Sequence, residues 1–402
     1  MNKRQSLSVL ALALLSSITP AVADDASWDV AANLDLQSRL FTQDAGWAGQ
    51  EPDAMQLSLA ATAEFRWRNA ARSQRAAIVT YARWDQVDTE RSLLDLREAY
   101  WALRGDTFEL LLGANTVFWG VTESVHLVDI INQADAVADI DGEDKLGQPM
   151  LNLAVQRDWG LLSLYVLPYF RERSFAGVEG RLRTPLPVAA GAPVYESAAE
   201  QRHVDFALRY SHNIGDVDIG LSVFDGTSRE PRLLPDATGD ALQPYYDQIE
   251  QAGVDLQYTR DAWLWKLEAI ARNGYAETFA AAVAGFEYSF YQVAASNADL
   301  GVLLEYQYDA RGAQEPATIA DNDVFVACRL ALNDMQDTAV LAGLGYDLDT
   351  GETFFNVEAE RRIGQSYVLE LRARVFAGAS PQDITYALAS DDYLQLQLSR
   401  FF

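Results

Sequence analysis

The closing segment of the chain, Tyr393–Phe402, reads YLQLQLSRFF and decides the fold. Leucine stands at every second position from Leu394 to Leu398, and glutamine or serine occupies the positions between and after them. Because successive side chains of a β-strand point to opposite faces, this segment has one apolar face and one polar face. We therefore predict an amphipathic strand that ends on the aromatic residue Phe402.

The same two-residue period recurs from the beginning of the chain to its end. Apolar residues alternate with polar ones in the segments 33–40, 56–67, 254–259, 302–309 and 369–375. We count about eighteen such segments, each close to the ~9–11 residues that a tilted membrane strand requires. The number falls to about sixteen if two weaker segments, 74–86 and 279–292, are not strands, and either number is even, as single-chain barrels require.

The connections between these segments alternate between short and long. Tight turns are predicted at 69–73, 104–107, 158–160, 213–216, 260–262, 333–337 and 364–366. The longest links are 119–148, 172–202 and 226–247. Short periplasmic turns opposite long outer loops are typical of an all-β, antiparallel, up-and-down transmembrane barrel. The alternative is a soluble β-sandwich or propeller, whose strands are shorter and whose loops need not alternate.

The first 23 residues have the pattern of a secretory signal peptide. Lys3 and Arg4 form a positively charged n-region, Val9–Leu15 forms an apolar h-region, and Ala21–Ala23 supplies a small-residue cleavage site. We therefore predict a signal peptide over 1–23 and a single transmembrane barrel domain over 24–402. The predicted first strand at Val30 follows almost at once, so we expect no N-terminal plug domain.

Composition excludes some classes of partner. The formal net charge of −27 argues against nucleic acid, whose phosphates bind clustered lysine and arginine. No apolar run beyond residue 23 is long enough for a membrane-spanning helix, which needs about 18 residues or more. The single cysteine, Cys328, shares its parity with Val324 and Val326, so we expect it to face lipid. Together with the strand pattern, these features predict a location in the bacterial outer membrane, in contact with its lipids.

The end of the chain also resembles a known family feature. A terminal phenylalanine that closes an amphipathic strand resembles the assembly signal of bacterial outer-membrane β-barrel proteins. The resemblance implies that the barrel-assembly machinery recognises the last strand through Phe402. Arg400 departs from the pattern, which usually has an aromatic or apolar residue there; near a strand end its side chain can reach the headgroups.

The third outer loop, Trp119–Gln148, contains a segment of helical rather than strand periodicity. At about 100° per residue, polar side chains of residues 124–139 fall within an arc of about 120°. These are Asp129, Asn132, Asp135 and Asp139. Most apolar side chains of the segment fall on a separate arc, with Val128 as the exception. We predict a short helix that folds into the barrel, with its apolar side on the wall and its acidic side toward the lumen.

The barrel wall offers positive charges to match this acidic side. Arginines at inward-facing positions of the first four and the last two strands before closure are Arg39, Arg66, Arg83, Arg97, Arg362, Arg372 and Arg374. The arrangement resembles the eyelet of general bacterial porins, in which an inward-folded third loop faces basic residues across a constriction. Alternatively, these groups are ordinary solvated lumen charges that neutralise one another.

A second resemblance covers Val117–Arg173. An uncharacterised porin-like family of bacterial outer-membrane proteins has an aromatic-Trp-Gly sequence after a strand, followed by a segment rich in asparagine and aspartate. Here the residues 118–120 (FWG), 131–133 (INQ) and 144–150 (DKLGQPM) are similar to that pattern. The resemblance implies a membrane location and gives no ligand.

Metal binding and catalysis are weaker hypotheses. The carboxylates of Asp139–Asp144 could bind Ca²⁺, but the glycine is at the fourth position rather than the sixth of an EF-hand loop. The histidines His126, His203 and His212 lie in no nucleophile motif or zinc-binding HExxH motif, although His203 shares an inward face with Asp205. We therefore predict no enzyme activity and no cofactor.

These features predict an outer-membrane channel for passive diffusion of small solutes. The alternative is a substrate-selective transporter for a hydrophobic or lipid-like ligand, with a lumen that loops occlude. The long loops that contain Pro185–Pro187, Pro193 and Leu233–Pro235 could form an apolar entry for such a ligand. A purely structural or adhesive role fits less well, because eighteen strands enclose a wide lumen. The identity of the solute and the oligomeric state are left open.

Overall fold

A computed structural model describes residues 26–402 of the chain, so the predicted signal peptide lies outside the described residues. Its β-strands, in chain order, are β1 (Ser27–Phe41), β2 (Met55–Arg68), β3 (Gln74–Asp85), β4 (Leu93–Arg104), β5 (Phe108–Asn115), β6 (Gln148–Arg157), β7 (Gly160–Leu167), β8 (Val194–Tyr195), β9 (Asp205–Ile214), β10 (Val217–Thr227), β11 (Arg232–Pro235), β12 (Leu242–Tyr246), β13 (Gln248–Arg260), β14 (Trp263–Asn273), β15 (Phe279–Phe290), β16 (Asp299–Asp309), β17 (Asn322–Ala331), β18 (Ala339–Asp347), β19 (Thr353–Ile363), β20 (Tyr367–Ala377) and β21 (Tyr393–Phe401).

Eighteen of these strands form one closed antiparallel barrel. Each strand pairs with its neighbours along the chain, and β1 pairs with β21, with Leu36 opposite Leu398, to close the ring. The short strands β8, β11 and β12 form a separate three-stranded sheet within the long loops. The predicted up-and-down barrel of eighteen strands is thus confirmed; the two weaker segments are the strands β3 and β15.

Helical structure in residues 26–402 is limited to four short 3₁₀ helices. They span Thr89–Arg91, Glu200–Arg202, Val293–Ala295 and Ile384–Leu388. None of the helices in this part of the chain is long and apolar enough to cross a lipid bilayer.

The outer face of the barrel is apolar, as the alternating pattern requires. On the closing strand, Leu394, Leu396 and Leu398 are exposed, whereas the intervening Gln395 and Ser399 are buried inside. The same alternation exposes large apolar side chains on the other barrel strands. Cys328 is exposed on this outer face, as predicted. An apolar belt of this kind is stable against lipid chains and not against water.

Aromatic side chains gather at both ends of the strands. Trp28 packs against Trp67 at the short-turn end, with ring centroids 6.5 Å apart. Trp263 stacks on Trp265 at 5.5 Å beside the turn between β13 and β14. Trp84, near the long-loop end of β3, is 58% exposed. Such girdles place amphipathic rings at the level of lipid headgroups.

The connections alternate in length as predicted over most of the barrel. The exceptions are the loops 274–278 and 348–352, of five residues each, which are shorter than the turns 291–298 and 332–338, of eight and seven residues. At one end of the barrel lie the short turns 69–73, 105–107, 158–159, 215–216, 261–262, 291–298, 332–338 and 364–366. At the other end lie the long loops 42–54, 86–92, 116–147, 168–204, 228–247, 274–278, 310–321, 348–352 and 378–392. The third of these, 116–147, is hereafter loop 3.

Candidate functional site: loop 3 inside the barrel

Loop 3 lies within the barrel, but the helix predicted over 124–139 does not form. The segment contains only turns, bends and an isolated bridge between Ala134 and Lys145. Side chains of the barrel wall bind many of its backbone groups. Its own backbone–backbone bonds, such as Asp129 to His126 and Ala138 to Asp135, are isolated turns, so no continuous helical ladder forms. The prediction of a helix was wrong.

Two glutamates of the wall accept the backbone N–H groups at the start of the loop. The carboxylate of Glu268 on β14 accepts from the backbone nitrogens of Val121, Thr122 and Val128 at 2.7, 3.0 and 3.2 Å. Glu305 on β16 accepts from Glu123 and Ser124 at 2.8 and 2.9 Å. Both glutamates are fully buried. An ionised carboxylate that accepts several N–H groups is satisfied without leaving the interior.

Arginines of the wall and of other loops bind the carbonyl groups of loop 3. Arg91 donates to the carbonyl of Val137 at 2.9 Å, and Arg229 donates to that of Ile131 at 3.0 Å. Arg39 on β1 donates to the carbonyl of Ala138 at 2.5 Å. Many donors and acceptors of the loop backbone are therefore satisfied from outside the loop, and its conformation depends on the closed barrel.

Asp135 forms the first of two buried ionic anchors. Its side chain is completely buried and lies 3.3 Å from Arg83 on β3 and 2.9 Å from Arg97 on β4. The hydroxyl of Ser174, in the loop 168–204, donates to it at 3.1 Å. A register shift opposite Val79 lets Arg97 and its neighbour Glu98 both face the lumen.

Asp139 forms the second anchor, at the closing strands. Arg372 and Arg374 on β20 donate to its carboxylate, as does the hydroxyl of Tyr393 on β21 at 3.2 Å. Burial by itself would raise the pKa of Asp139, but the positive charges of Arg374, Arg39 and Arg372 lower the pKa to about 2. The anchor is therefore ionised at every physiological pH.

The remaining polar residues of the predicted acidic side hold the base of the loop. Asp129 pairs with Lys145 at 2.9 Å. The amide of Asn132 accepts from the nitrogen of Val117 at 2.9 Å and donates to the carbonyl of Leu146 at 2.8 Å. Asn132 thus ties the two ends of loop 3 together. Sequence reasoning placed these residues on the pore side, and the structure uses them in contacts within the loop.

The FWG sequence at 118–120 has a packing role. Trp119 is buried against Tyr165, with ring centroids 5.6 Å apart, and the guanidinium of Arg209 lies 5.0 Å from the Trp119 ring. Gly120 has a φ of +143°, and a Cβ there would lie 2.9 Å from the Glu268 carboxylate. Glycine therefore allows the loop to approach the wall closely.

The apolar side chains of loop 3 complete a core inside the barrel. Val128, Ile130 and Ile131 are buried together with wall residues such as Phe224 and Ile270. Burying each such side chain stabilises the docked loop by about 1.5–3 kcal/mol. Contact between the apolar part of the loop and the wall agrees with the prediction, although it is reached without a helix.

The tip of loop 3 is the part that faces water. Asp141, Glu143 and Asp144, hereafter the tip carboxylates, are exposed. On the wall, Arg329 of β17 keeps 46% of its side chain exposed and lies 2.7 Å from Glu123 of the loop. Sequence reasoning missed Arg329, although its inward parity, opposite to that of Cys328, was the signal that could have found it.

Two of the predicted arginines do not contact loop 3. Arg66 lies 3.1 Å from both Glu64 and Glu98, in the half of the lumen nearer the short turns. Arg362 pairs with Asp337 at 3.0 Å at the short-turn end, where both side chains are largely exposed. Arg39, Arg83, Arg97, Arg372 and Arg374 do contact the loop.

His126 lies between the tip of loop 3 and the barrel wall. Its ring nitrogens are 3.9 Å from Glu143 at the tip and 3.8 Å from Glu268 in the wall, and its ring packs edge-on against Phe118. Burial lowers the pKa of His126, but the carboxylates of Glu143 and Glu268 outweigh burial and raise the pKa to about 9. The raised pKa favours the protonated imidazole, which lies between the tip and wall carboxylates at distances longer than a direct hydrogen bond.

The other long loops interlock above the barrel. Arg181 binds Asp391, and both side chains are almost fully buried. Arg183 donates to the carbonyl of Ala48 at 2.7 Å, which joins the loops 168–204 and 42–54. Tyr246 of β12 is fully buried and stacks on Tyr195 of β8 at 5.5 Å. These contacts form a packed cap at the mouth.

Exposed charge in the long loops is almost entirely negative. Exposed carboxylates of these loops outside the tip, hereafter the rim carboxylates, are Asp44, Asp53, Glu90, Glu179, Glu196, Glu200, Asp240, Glu277, Asp321 and Asp349. Within residues 26–402, Arg202 is the one basic residue of the long loops that is exposed to the same degree.

Carboxylates that could hold a metal ion lie away from the predicted loop site. Asp321, Asp323 and Asp347 have ligand atoms within 4.8 Å of one another at the long-loop end of β17 and β18. In the segment Asp139–Asp144, where we considered Ca²⁺, the carboxylate of Asp139 is bound by arginines instead. No metal is assigned to either group.

Comparison with known proteins gives matches in structure and not in sequence. No protein-family model matches the chain, and no curated protein matches it. A BenF-like porin from Pseudomonas fluorescens Pf-5 superposes with a TM-score of 0.54 at 12% identity, over 94% of this chain and 98% of that one. OccAB1 of Acinetobacter baumannii gives 0.54 at 8% identity, over 94% and 97%.

A third similar structure is Wzi of Escherichia coli, described as an outer-membrane protein involved in group 1 capsule assembly and a carbohydrate-binding β-barrel. It gives a TM-score of 0.52 at 10% identity, over 91% of this chain and 83% of that one. At such identities the likeness concerns the fold. The closed eighteen-stranded barrel and its apolar belt agree with a location in the outer membrane. The chain therefore has the porin-like fold of bacterial outer-membrane β-barrel proteins.

Proposed function

We propose that this protein is a channel for passive diffusion of small solutes across the outer membrane. The observation that carries the proposal is loop 3, which is fixed inside a closed eighteen-stranded barrel and keeps charged groups exposed to water there. A loop held at this position narrows the lumen. The ionic anchors on two sides of the wall keep the constriction at a constant width.

The predicted lining residues divide into two groups under this proposal. Asp135, Asp139 and the arginines that bind them hold the loop in place. The solute passes the tip carboxylates, Glu123 and Arg329, because these side chains keep contact with water. Arg372, which is 28% exposed, belongs to both groups.

Conductance in planar lipid bilayers tests the proposal. Purified, folded protein should insert and produce stepwise ionic currents in KCl. Replacement of Glu143 by tryptophan at the exposed tip should reduce the single-channel conductance, because the larger side chain enters the constriction. Protein that remains folded and inserts, yet never produces current steps, would contradict the proposed channel.

The alternative function, transport of a hydrophobic or lipid-like ligand through an occluded lumen, has one observation in its favour. The long loops form the packed cap described above, and a small apolar cluster of Leu303, Phe325, Ala327 and Leu341 faces the lumen. Saturable binding of a fluorescent long-chain fatty acid, together with absence of current steps, would favour this alternative.

A further inference from the structure

Resting on the proposed channel, we infer that the pathway selects for cations, because loop 3 buries the wall arginines and leaves the water-facing charge negative. The substrate class is therefore small inorganic and organic cations.

The first step concerns the wall arginines. Arg83 and Arg374 keep only 3% and 1% of their side chains exposed, and each is bound to an aspartate of loop 3. Arg39, which is 5% exposed, is held by Gln395 and by the carbonyl of Ala138. A buried cation in direct contact with a carboxylate contributes little net potential to the water-filled space. Arg83 and Arg374 therefore give the pathway little positive charge, and the charge of Arg39 acts on the nearby carboxylate of Asp139.

The second step concerns the cations of the other long loops. Arg229 pairs with Asp205 at 2.7 Å, and Arg171 pairs with Asp95 at 2.6 Å. Arg311 lies 2.7 Å from Asp309 and 3.2 Å from Glu230. Each of these basic groups is neutralised by a carboxylate in contact with it. The mouth therefore has few positive charges available for an approaching anion.

The third step is the negative charge that remains. The rim carboxylates surround the mouth, and the tip carboxylates follow at the constriction, where Arg329 is the largely exposed cation. Nearer the short turns the charges are paired: Glu358 lies 2.7 Å from Arg374, Glu370 lies 3.8 Å from Arg372, and Arg66 lies 3.1 Å from Glu64 and from Glu98. The remaining negative charge is therefore concentrated at the rim and the tip. In a cleft with low-dielectric walls, charges of one sign produce a potential of several kT, which concentrates ions of the opposite sign.

A neutral constriction is the competing interpretation, since Arg329 and Arg372 lie opposite the tip. However, Arg372 is already bound to Asp139, and Arg329 is already bound to Glu123. At the tip itself, Asp141 lies 3.4 Å from Arg374, and burial together with Asp139 raises the pKa of Asp141 to about 7. Glu143 lies 3.9 Å from His126, so the unpaired negative charge is that of Asp144 together with the rim carboxylates. A carboxylate about 8 Å from a passing ion in water contributes about 0.5 kcal/mol, or about a twofold change in its local concentration.

The test is the reversal potential of single channels in a KCl gradient at low ionic strength. We expect K⁺ to permeate several times better than Cl⁻, and tetraethylammonium to carry current when it replaces K⁺. Glu143→Gln removes one tip charge and keeps a polar side chain of the same size beside His126, and it should reduce the cation-to-anion permeability ratio about twofold; slow trypsin cleavage after Lys145 would show that loop 3 stays docked in this variant. Both effects should shrink as salt concentration rises, because salt screens exposed charges.

Glu250→Gln is the matched control. Glu250 is exposed on the outer face of β13, with the parity of Ala252 and Val254, so the same chemical change there should leave the ratio unaltered. A K⁺-to-Cl⁻ permeability ratio at or below one in the wild type would overturn the inference. Equal changes of this ratio in Glu143→Gln and Glu250→Gln would overturn it as well. Absence of any conductance would instead contradict the proposed channel itself.

Discussion

Replacement of Asp135 by asparagine should release loop 3 from the wall. Asparagine preserves the size of the side chain and removes its charge, which leaves Arg83 buried with no counter-charge. Arg97 keeps a weaker partner in Asp95, at 3.4 Å. Removing one member of a buried ion pair costs about 3–5 kcal/mol, because the remaining charge is uncompensated. The barrel itself should survive, since its strand ladders do not involve Asp135.

This cost predicts a large change in the docking equilibrium of the loop. A difference of about 1.4 kcal/mol changes an equilibrium constant tenfold, so the population of undocked loop should rise about 10²–10³-fold or more. Lys145 is only 15% exposed when the loop is docked. Trypsin should therefore cleave after Lys145 much faster in the variant, and single-channel currents should fluctuate between conductance levels.

Asp144→Asn provides the matched control for this experiment. Asp144 is an exposed aspartate of the same loop, and its side chain is a partner in none of the ion pairs described for residues 26–402. Its replacement should leave both the cleavage rate and the current noise at wild-type values. If Asp135→Asn behaves like this control in both assays, the ionic anchor does not hold the loop, and our reasoning about its position is refuted.

Three further predictions concern the barrel, its terminal strand and pH. A closed barrel has no free strand edge, so unboiled protein should migrate faster than boiled protein in SDS gels; identical migration together with a helical circular dichroism spectrum would contradict the fold. Deletion of Phe402 should reduce the level of protein in the outer membrane, because this residue closes the last strand and its nitrogen donates to the carbonyl of Ala32 at 2.9 Å; normal levels would argue against its role in assembly. The raised pKa of His126 means that its contribution to loop docking is complete below about pH 6.5 and is lost as pH rises through about 9. Relative to cleavage of an unfolded peptide at the same pH, which corrects for the pH dependence of trypsin itself, cleavage after Lys145 should accelerate over that range in the wild type and should stay constant in His126→Gln.

The barrel was predictable because its signal is local. In each strand, the side that faces lipid is decided by a period of two residues, and this period is visible in segments such as 393–402 without knowledge of the rest of the chain. The closure between β1 and β21 follows once the count of strands and the alternation of loops are known.

The conformation of loop 3 was not predictable in the same way. Its helical period is present in the sequence, but its polar and apolar side chains contact two different regions of the barrel wall. Glu268 and Glu305, which bind its backbone, are about 140 and 180 residues away in sequence. In isolation they look like ordinary inward-facing acids. The sequence therefore indicated that the loop enters the barrel, whereas its anchors and its water-facing tip depend on tertiary structure.

The closure of the ring has a consequence for biogenesis. Gln37 and Gln397 are hydrogen-bonded across the closing pair of strands, although 360 residues separate them along the chain. Until β21 arrives, β1 exposes an unpaired edge and Asp139 of loop 3 lacks the Tyr393 hydroxyl that β21 supplies. Closure of the barrel therefore cannot occur strand by strand as the chain is delivered, because β1 pairs with the last strand, β21. A nascent chain with such distant pairing needs protection of its open edge throughout export, and premature pairing with another copy is the failure that this protection must prevent.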